Sequence, residues 1–167
     1  MVILGIDPGY AIVGFGVIEK DERGRLKVVD YGTIETPKEE AFPVRLAIIA
    51  DGMKRLIDKY KPDEIAIEEL FFTNNITTGI AVAEARGVIL CTAKKYKVKI
   101  SEYTPGQVKQ AVVGYGKAEK KQVIAMVKTL LHLEKAPKPD DTADALAIAY
   151  CHAQCAVSAI GMYFNGR

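Results

Sequence analysis

The chain has 167 residues, of which 49% are hydrophobic and 26% are charged, and its net charge is +2. These values are typical of one soluble globular domain, and no apolar run approaches the roughly 18 residues that span a bilayer. The composition therefore excludes a membrane-spanning protein. The N-terminus begins directly with a strand-like run and shows no leader pattern, so we expect a single cytoplasmic domain over residues 1–167.

The cysteines and histidines do not form a recognisable disulfide or metal pattern. Cys91, Cys151 and Cys155 are odd in number and contain no C-x-x-C pair, and the chain has only two histidines, His132 and His152. A disulfide framework and a zinc site are therefore not expected, and reduced thiols are the favoured interpretation.

The first third of the chain predicts three strands. Residues 2–6 are continuously apolar, as in a central strand that is buried on both faces. Residues 12–19 and 26–35 are rich in β-branched and apolar side chains. Because only short turns separate the three segments, we expect an antiparallel meander.

Helices and strands then alternate. Apolar residues at helical spacing predict a helix over residues 45–60, followed by a strand at 64–68, a long Ala-rich helix at 77–96 and a strand at 97–103. A strand–helix–strand connection requires a crossover, so the two later strands should be parallel.

Two further helices complete the chain, one at about residues 119–131 and one that begins at Asp140 or Asp141. The element order predicts an α/β three-layer fold. Its mixed five-stranded sheet would contain three antiparallel and then two parallel strands, with helices on both faces.

Basic residues are concentrated in one part of the chain. Between residues 86 and 128 there are ten basic side chains and two acidic ones, so the remainder is net negative. A basic region beside an acidic cluster suits a phosphate backbone that lies across a metal site. A solvated, lysine-rich surface would explain the same count.

Four acidic positions, far apart in the chain, could meet in the fold. Asp7 and Glu68 each end an apolar strand, and adjacent central strands would place them side by side. Asp141 and Asp144 are three residues apart and so share one face of the last helix. Such a group of carboxylates is a common oxygen-ligand site for Mg²⁺ or Mn²⁺, although one aspartate alone would be explained as a helix cap.

The segment after Glu68 adds an aromatic signal. Phe71 and Phe72 enter a polar loop beside the expected site, where an aromatic side chain could stack on an unpaired base. Packing between the next helix and the sheet is the alternative, and we favour it for Phe72.

Several of these segments together resemble the RuvC family of Holliday-junction resolvases. The resemblance runs in one continuous order from about residue 2 to 155, and the motifs are specific only when taken together. Its segments are Leu4-Gly5-Ile6-Asp7-Pro8-Gly9, Gly14-Phe15-Gly16-Val17-Ile18, Ala66-Ile67-Glu68-Glu69-Leu70-Phe71, Ala85-Arg86-Gly87-Val88, Gln107-Val108-Lys109-Gln110-Ala111-Val112-Val113-Gly114, Lys117-Ala118-Glu119-Lys120 and Asp141-Thr142-Ala143-Asp144-Ala145-Leu146-Ala147-Ile148-Ala149.

The resemblance implies a ribonuclease-H-like fold, a homodimer, and an endonuclease that makes paired nicks in four-way DNA junctions with Mg²⁺ or Mn²⁺. The family's partner would be the RuvA–RuvB branch-migration complex. Its site residues fall on positions of this sequence as follows: the catalytic and metal-binding carboxylates on Asp7, Glu68, Asp141 and Asp144, the base-stacking phenylalanine on Phe71, and the DNA-contacting lysines on Lys109 and Lys120.

On this basis we expect two-metal hydrolysis. Asp7 would bridge two Mg²⁺ ions, and the other three carboxylates would complete their coordination. Two acidic residues depart from the family pattern, because Glu69 stands where a glutamine is familiar and Asp140 adds an acid before the helix pair. The apolar tail after residue 156 receives no functional assignment.

Three alternatives remain at this point. A sugar-kinase or actin-like ATPase shares the Gly-Ile-Asp-x-Gly start, but that architecture needs two such domains. A non-catalytic junction-binding module would explain the basic region, although four acids would repel phosphate without a metal. A nuclease that acts on RNA–DNA hybrids is compatible with the fold and disfavoured only by the motifs.

Overall fold

The computed structural model describes residues 1–70 and 76–155. Within these ranges the chain forms five strands and five helices. In chain order they are β1 (Val2–Asp7), β2 (Ile12–Lys20), β3 (Leu26–Glu35), α1 (Phe42–Tyr60), β4 (Glu64–Glu68), α2 (Ile76–Lys95), β5 (Lys99–Tyr103), α3 (Pro105–Val113), α4 (Lys120–Leu130) and α5 (Asp140–Cys155).

The five strands form one mixed sheet in the order β3-β2-β1-β4-β5. β1, β2 and β3 are antiparallel neighbours, whereas β1, β4 and β5 are parallel. β1 therefore has a strand on each side and helices above and below, which explains its continuous apolar run. The predicted sheet is confirmed.

Helices cover both faces of this sheet. α3, α4 and α5 pack on one face, and α1 and α2 pack on the other. Because successive residues of a strand point to opposite faces, Ile3 of β1 packs under α5 while Leu4 packs under α1 and α2. This arrangement is the predicted three-layer α/β fold.

α5 lies unusually close to the sheet because glycines face it. A Cβ added at Gly5 would lie 2.2 Å from the carbonyl oxygen of Ala145, and one added at Gly14 would lie 2.1 Å from that of Asp141. Any larger residue at either position would force the helix away from β1 and β2. The glycines thus fix the height of α5, and of its acidic first turn, above the sheet.

Two boundaries differ from the sequence prediction by more than one residue, and one helix is missing from it. α1 begins at Phe42 rather than residue 45, because Pro43 fits the first turn of a helix. β5 begins at Lys99 rather than residue 97, because Lys97 has a positive φ of 59° where the chain leaves α2. α3 was not predicted at all.

α3 carries a recognisable start and stop signal. The Thr104 hydroxyl accepts a hydrogen bond from the backbone N–H of Gln107, and the Gln107 side chain accepts one from the backbone N–H of Thr104. Gly114 ends the helix with a φ of 91°. This capping box and C-terminal glycine would have located the helix from sequence.

None of the helices in the described ranges has the length and hydrophobicity that a membrane crossing requires.

Candidate active site

Two acids leave the sheet at the same edge and on the same face. Asp7 is the last residue of β1, and alternation from Ile3 through Gly5 points it to the α5 face. Glu68 is the last residue of β4 and follows the buried Ala66 on that face. Since β1 and β4 are parallel neighbours, the two carboxylates are brought together at their carboxyl ends.

The first turns of α5 bring the other two predicted acids to this edge. Asp141 lies on Gly14, which is paired with Asp7 in the β1–β2 ladder, so the backbone of Asp141 is held beside Asp7. Asp144 follows one turn later on the same helix face. The structure therefore brings together all four predicted carboxylates.

A cavity of about 210 Å³ opens beside these acids. Its walls combine carboxylates, lysines and apolar side chains. The lining residues are Glu68, Pro105, Val108, Lys109, Lys120, Val123, Asp144 and Ala147. Lys109 comes from α3 and Lys120 from the first turn of α4, so both predicted DNA-contacting lysines reach the cavity.

The electrostatics show how closely the acids interact. Burial, followed by the negative charges of Asp144, Glu68 and Asp141, raises the pKa of Asp7 from 3.8 to about 8. The Lys120 ammonium acts in the opposite direction on the same carboxyl. A proton on Asp7 is thus favoured at neutral pH, which is the expected response of a partly buried acid among like charges.

Glu68 and Asp144 respond similarly. Burial and the charge of Asp144 raise the pKa of Glu68 to about 7, against the opposing charges of Lys109 and Lys120. Burial is also the main cause that raises the pKa of Asp144, with Lys120 opposing it. The two lysines therefore reduce, but do not cancel, the repulsion in the cluster.

Lys120 forms ion pairs with two acids of α5. Its Nζ lies 2.9 Å from Asp144 Oδ2 and 3.7 Å from Asp140 Oδ2. Burial opposes its charge, but the hydrogen bond to Asp144 and the charges of Asp140 and Asp141 raise the pKa of Lys120 overall. Asp140, for which the sequence offered no role, thus lies near the ammonium group of Lys120.

The donor set fits a hard divalent cation. It consists of carboxylate oxygens, the ligands that Mg²⁺ and Mn²⁺ prefer, and the raised pKa values of Asp7 and Glu68 reveal negative charge that a cation would offset. In the part of the chain that is described, no three acidic, His or Cys side chains are close enough to hold one ion. Electrostatic coupling acts over longer distances than coordination, so the raised pKa values show repulsion among these acids rather than a ligand cage.

The remaining predicted residues lie differently. Glu69 is not among the residues that line the cavity, and its backbone N–H donates a 2.8 Å hydrogen bond to the Tyr103 carbonyl. The lining of the cavity therefore distinguishes Glu68 from Glu69, which the sequence could not do by physics. Phe71 and Phe72, and the tail from residue 156, lie outside the described residues.

Comparisons with known proteins agree with this geometry. The family model described as crossover junction endodeoxyribonuclease RuvC matches residues 3–152. The chain belongs to the RuvC family. A relative of the same name from Alkaliphilus metalliredigens is 58% identical over 153 residues, which cover 92% of this chain and 93% of the relative.

Two further relatives extend over nearly all of the chain. The protein named crossover junction endodeoxyribonuclease RuvC from Pseudothermotoga lettingae is 47% identical and covers 99% of this chain and 100% of its own length. The solved structure of Thermus thermophilus RuvC in complex with a Holliday junction substrate is 35% identical, with a TM-score of 0.86 over 92% of this chain and 93% of that one. The prediction of a ribonuclease-H-like RuvC fold is therefore confirmed.

Proposed function

We propose that this RuvC-family chain resolves four-way DNA junctions, as a homodimer that cuts two strands of the same polarity symmetrically. The observation that carries the proposal is the meeting of Asp7, Glu68, Asp141 and Asp144 at one edge of the sheet, beside a cavity that also contains Lys109 and Lys120. The related Thermus thermophilus protein, which was solved with a Holliday junction substrate, supports the choice of substrate.

The four carboxylates are proposed to hold two Mg²⁺ ions, with Mn²⁺ as a substitute. When bound, the ions would lower the pKa of an attacking water and stabilise the leaving 3′ oxygen, leaving 5′-phosphate and 3′-hydroxyl ends. The fold of the chain sets the positions of the four carboxylates. Asp7 and Glu68 are fixed by strand ends and Asp141 and Asp144 by the helix that the glycines hold against the sheet.

The lysines are proposed to hold the DNA backbone. Lys109 and Lys120 reach the same cavity from two helices, and their charges already oppose those of Glu68. A phosphate that enters this cavity would meet both ammonium groups and carboxylates. Phe71 is proposed to stack on a junction base. The RuvA–RuvB branch-migration complex is the proposed protein partner during recombination and repair.

The deciding experiment is a cleavage assay on end-labelled four-way junctions, with linear duplex and an RNA–DNA hybrid alongside, in Mg²⁺ or in EDTA. Paired symmetric nicks that require Mg²⁺ and are confined to the junction are expected. Binding to the junction without cutting would indicate a non-catalytic module. Cutting of the hybrid instead would indicate a nuclease of the other substrate class.

Asp7→Asn should reduce cleavage by at least about 10³-fold, because it removes one charged ligand from the centre of the acidic cluster. Junction affinity should be retained, since the substitution removes a negative charge that repels the DNA phosphates. The matched control is Asp58→Asn, which removes an exposed carboxylate of α1 away from the site. Cleavage by Asp7→Asn at the rate of this control would contradict the proposed role.

A further inference from the structure

Arg86 links the long helix α2 to the end of the strand that carries Glu68. Its side chain is only 15% exposed. The Nε–H group donates a 3.1 Å hydrogen bond to the backbone carbonyl oxygen of Glu68, and the guanidinium also forms an ion pair with Glu102 of β5. One side chain thus joins three elements at the active edge of the sheet.

The hydrogen bond from Arg86 reaches Glu68 at the point where its strand leaves β1. The pairing of β1 with β4 ends at Ile6 and Ile67, so no residue of β1 is paired with Glu68. On the other side, Glu68 is paired with Tyr103 of β5, and the backbone N–H of Glu69 donates a hydrogen bond to the Tyr103 carbonyl. The planar guanidinium can donate in several directions at once, which suits it to a strand-end carbonyl and a carboxylate together.

Arg86 acts from the side of the sheet opposite to the cavity. Ser101 and Tyr103 of β5 are buried, and Tyr103 packs with α5, so alternation places Glu102 on the α2 face together with Arg86. The Glu68 carboxylate lies on the α5 face, in the cavity. Arg86 therefore contacts only the backbone of Glu68.

We propose that Arg86 is a positioning residue that fixes the carboxyl end of β4, and with it the direction in which the Glu68 side chain enters the cavity. The inference rests on the proposed catalytic role of Glu68. It goes further by assigning a task to the otherwise unexplained arginine of the Ala85-Arg86-Gly87-Val88 segment.

Arg86→Met tests the assignment, because methionine is of similar length but cannot donate to the carbonyl. A displacement of a reacting group by about 1 Å can cost about 100-fold in rate. We expect single-turnover junction cleavage to fall at least tenfold, while junction affinity measured in Ca²⁺ changes less than twofold. Arg86→Lys keeps one donor and should recover part of the rate.

Two control variants separate the effect of the hydrogen bond on the cleavage rate from the effects of positive charge and of the ion pair with Glu102. Glu102→Gln removes the ion pair but leaves the bond to Glu68, so its rate should stay within threefold of the original protein. Arg55→Met removes a positive charge from an exposed position of α1 and should have no effect. A cleavage rate for Arg86→Met equal to that of Arg55→Met would overturn the proposal.

The test also distinguishes positioning from general support of the fold. If Arg86→Met and Arg86→Lys lose cleavage, junction affinity and thermal stability to the same degree, Arg86 is a packing residue and the proposal is wrong.

If the original protein does not cut junctions, the proposed function fails separately. Mn²⁺ binding measured by electron paramagnetic resonance without DNA then decides: at least fivefold weaker binding by Arg86→Met supports positioning, and equal binding overturns it.

Discussion

At the scale of single residues, the carboxyl group of Asp7 is where burial and three other acids act together. Its pKa is raised from 3.8 to about 8, first by burial and then by Asp144, Glu68 and Asp141. In the unfolded chain the group would titrate near its ordinary value. Folding without a metal therefore places a carboxyl group where its ionised form is disfavoured, which lowers the stability of the folded state.

The sign of the resulting pH dependence follows from proton binding. Between about pH 4 and pH 8 the folded protein retains the Asp7 proton while the unfolded chain has lost it. The free energy of unfolding in EDTA should therefore decrease as pH rises through this window. Each tenfold difference in proton affinity corresponds to about 1.4 kcal/mol.

Asp7→Asn should raise the melting temperature of the metal-free protein, because the amide carries no charge. At pH 8 in EDTA we expect an increase of at least about 2–4 °C, the change that accompanies about 1 kcal/mol in a protein of this size. The increase should be smaller at pH 5. Differential scanning calorimetry at both pH values measures it.

Added Mg²⁺ provides the complementary measurement. The ion should raise the melting temperature of the original protein at pH 8, since it binds the folded state, and should raise that of Asp7→Asn less. Asp58→Asn serves as the control with an exposed carboxylate removed. A melting temperature of Asp7→Asn below that of this control at pH 8 would show that Asp7 stabilises the metal-free fold.

At the scale of elements, the placement of α5 on β1 and β2 determines where two of the four acids lie. Gly14 faces α5 at the position where Asp141 passes, and it is paired with Asp7 in the sheet. The sequence identified Asp7, Asp141 and the glycine-rich strands separately. It gave no indication that a glycine of β2 is the contact that joins them.

Gly14→Ala should therefore damage both stability and activity. The added Cβ would lie 2.1 Å from the Asp141 carbonyl oxygen, and backbone cannot yield as a flexible side chain can. We expect a loss of about 1–3 kcal/mol in the free energy of unfolding, as for overpacked cores, and at least a tenfold loss of cleavage. Chemical denaturation and the junction assay measure the two effects.

Gly87→Ala of α2 is the matched glycine control, because an added Cβ there meets nothing within 4 Å. It should leave stability unchanged or raise it by about 0.5–1 kcal/mol, since alanine is the better helix former. If Gly14→Ala behaves like this control, then α5 can move away from the sheet without consequence, and the close contact does not set the site.

The elements that sequence reasoning recovered are those with a strong periodic pattern. The apolar run of β1, the helical spacing in α1 and the acidic start of α5 were identified, although boundaries shifted by two or three residues at Phe42 and Lys99. α3 is short, with nine residues, and its signal lies in its caps rather than in periodicity. The site required long-range information, because four acids from three elements meet only after the sheet order is set.

At the scale of the whole molecule, a four-way junction has near two-fold symmetry, so two symmetric cuts require two active sites related by the same axis. The apolar face of α2 is a candidate dimer surface, but the core could equally take its residues, which are Ile80, Val82, Ala83, Val88 and Ile89. Ile89 is fully buried in the core beneath α1 and α2, so this residue belongs to the core. Ile80 is 55% exposed and is available to a partner.

Ile80→Asp should weaken a homodimer that forms through α2, because a buried, unpaired carboxylate is costly to desolvate. We expect the dimer dissociation constant to rise at least tenfold in analytical ultracentrifugation. On a supercoiled plasmid with an extruded cruciform, the original protein should give linear product by two coordinated cuts, and the variant should accumulate nicked circles.

Val44→Asp is the control, since Val44 is 44% exposed but lies at the start of α1 rather than on α2. It introduces the same charge at a similarly exposed apolar site and should leave both the dimer and the linear product intact. A dimer that resists Ile80→Asp but is broken by Val44→Asp would move the interface to α1. The two active sites would then be related by an axis near that helix, and the spacing of the paired cuts would have to be explained from there.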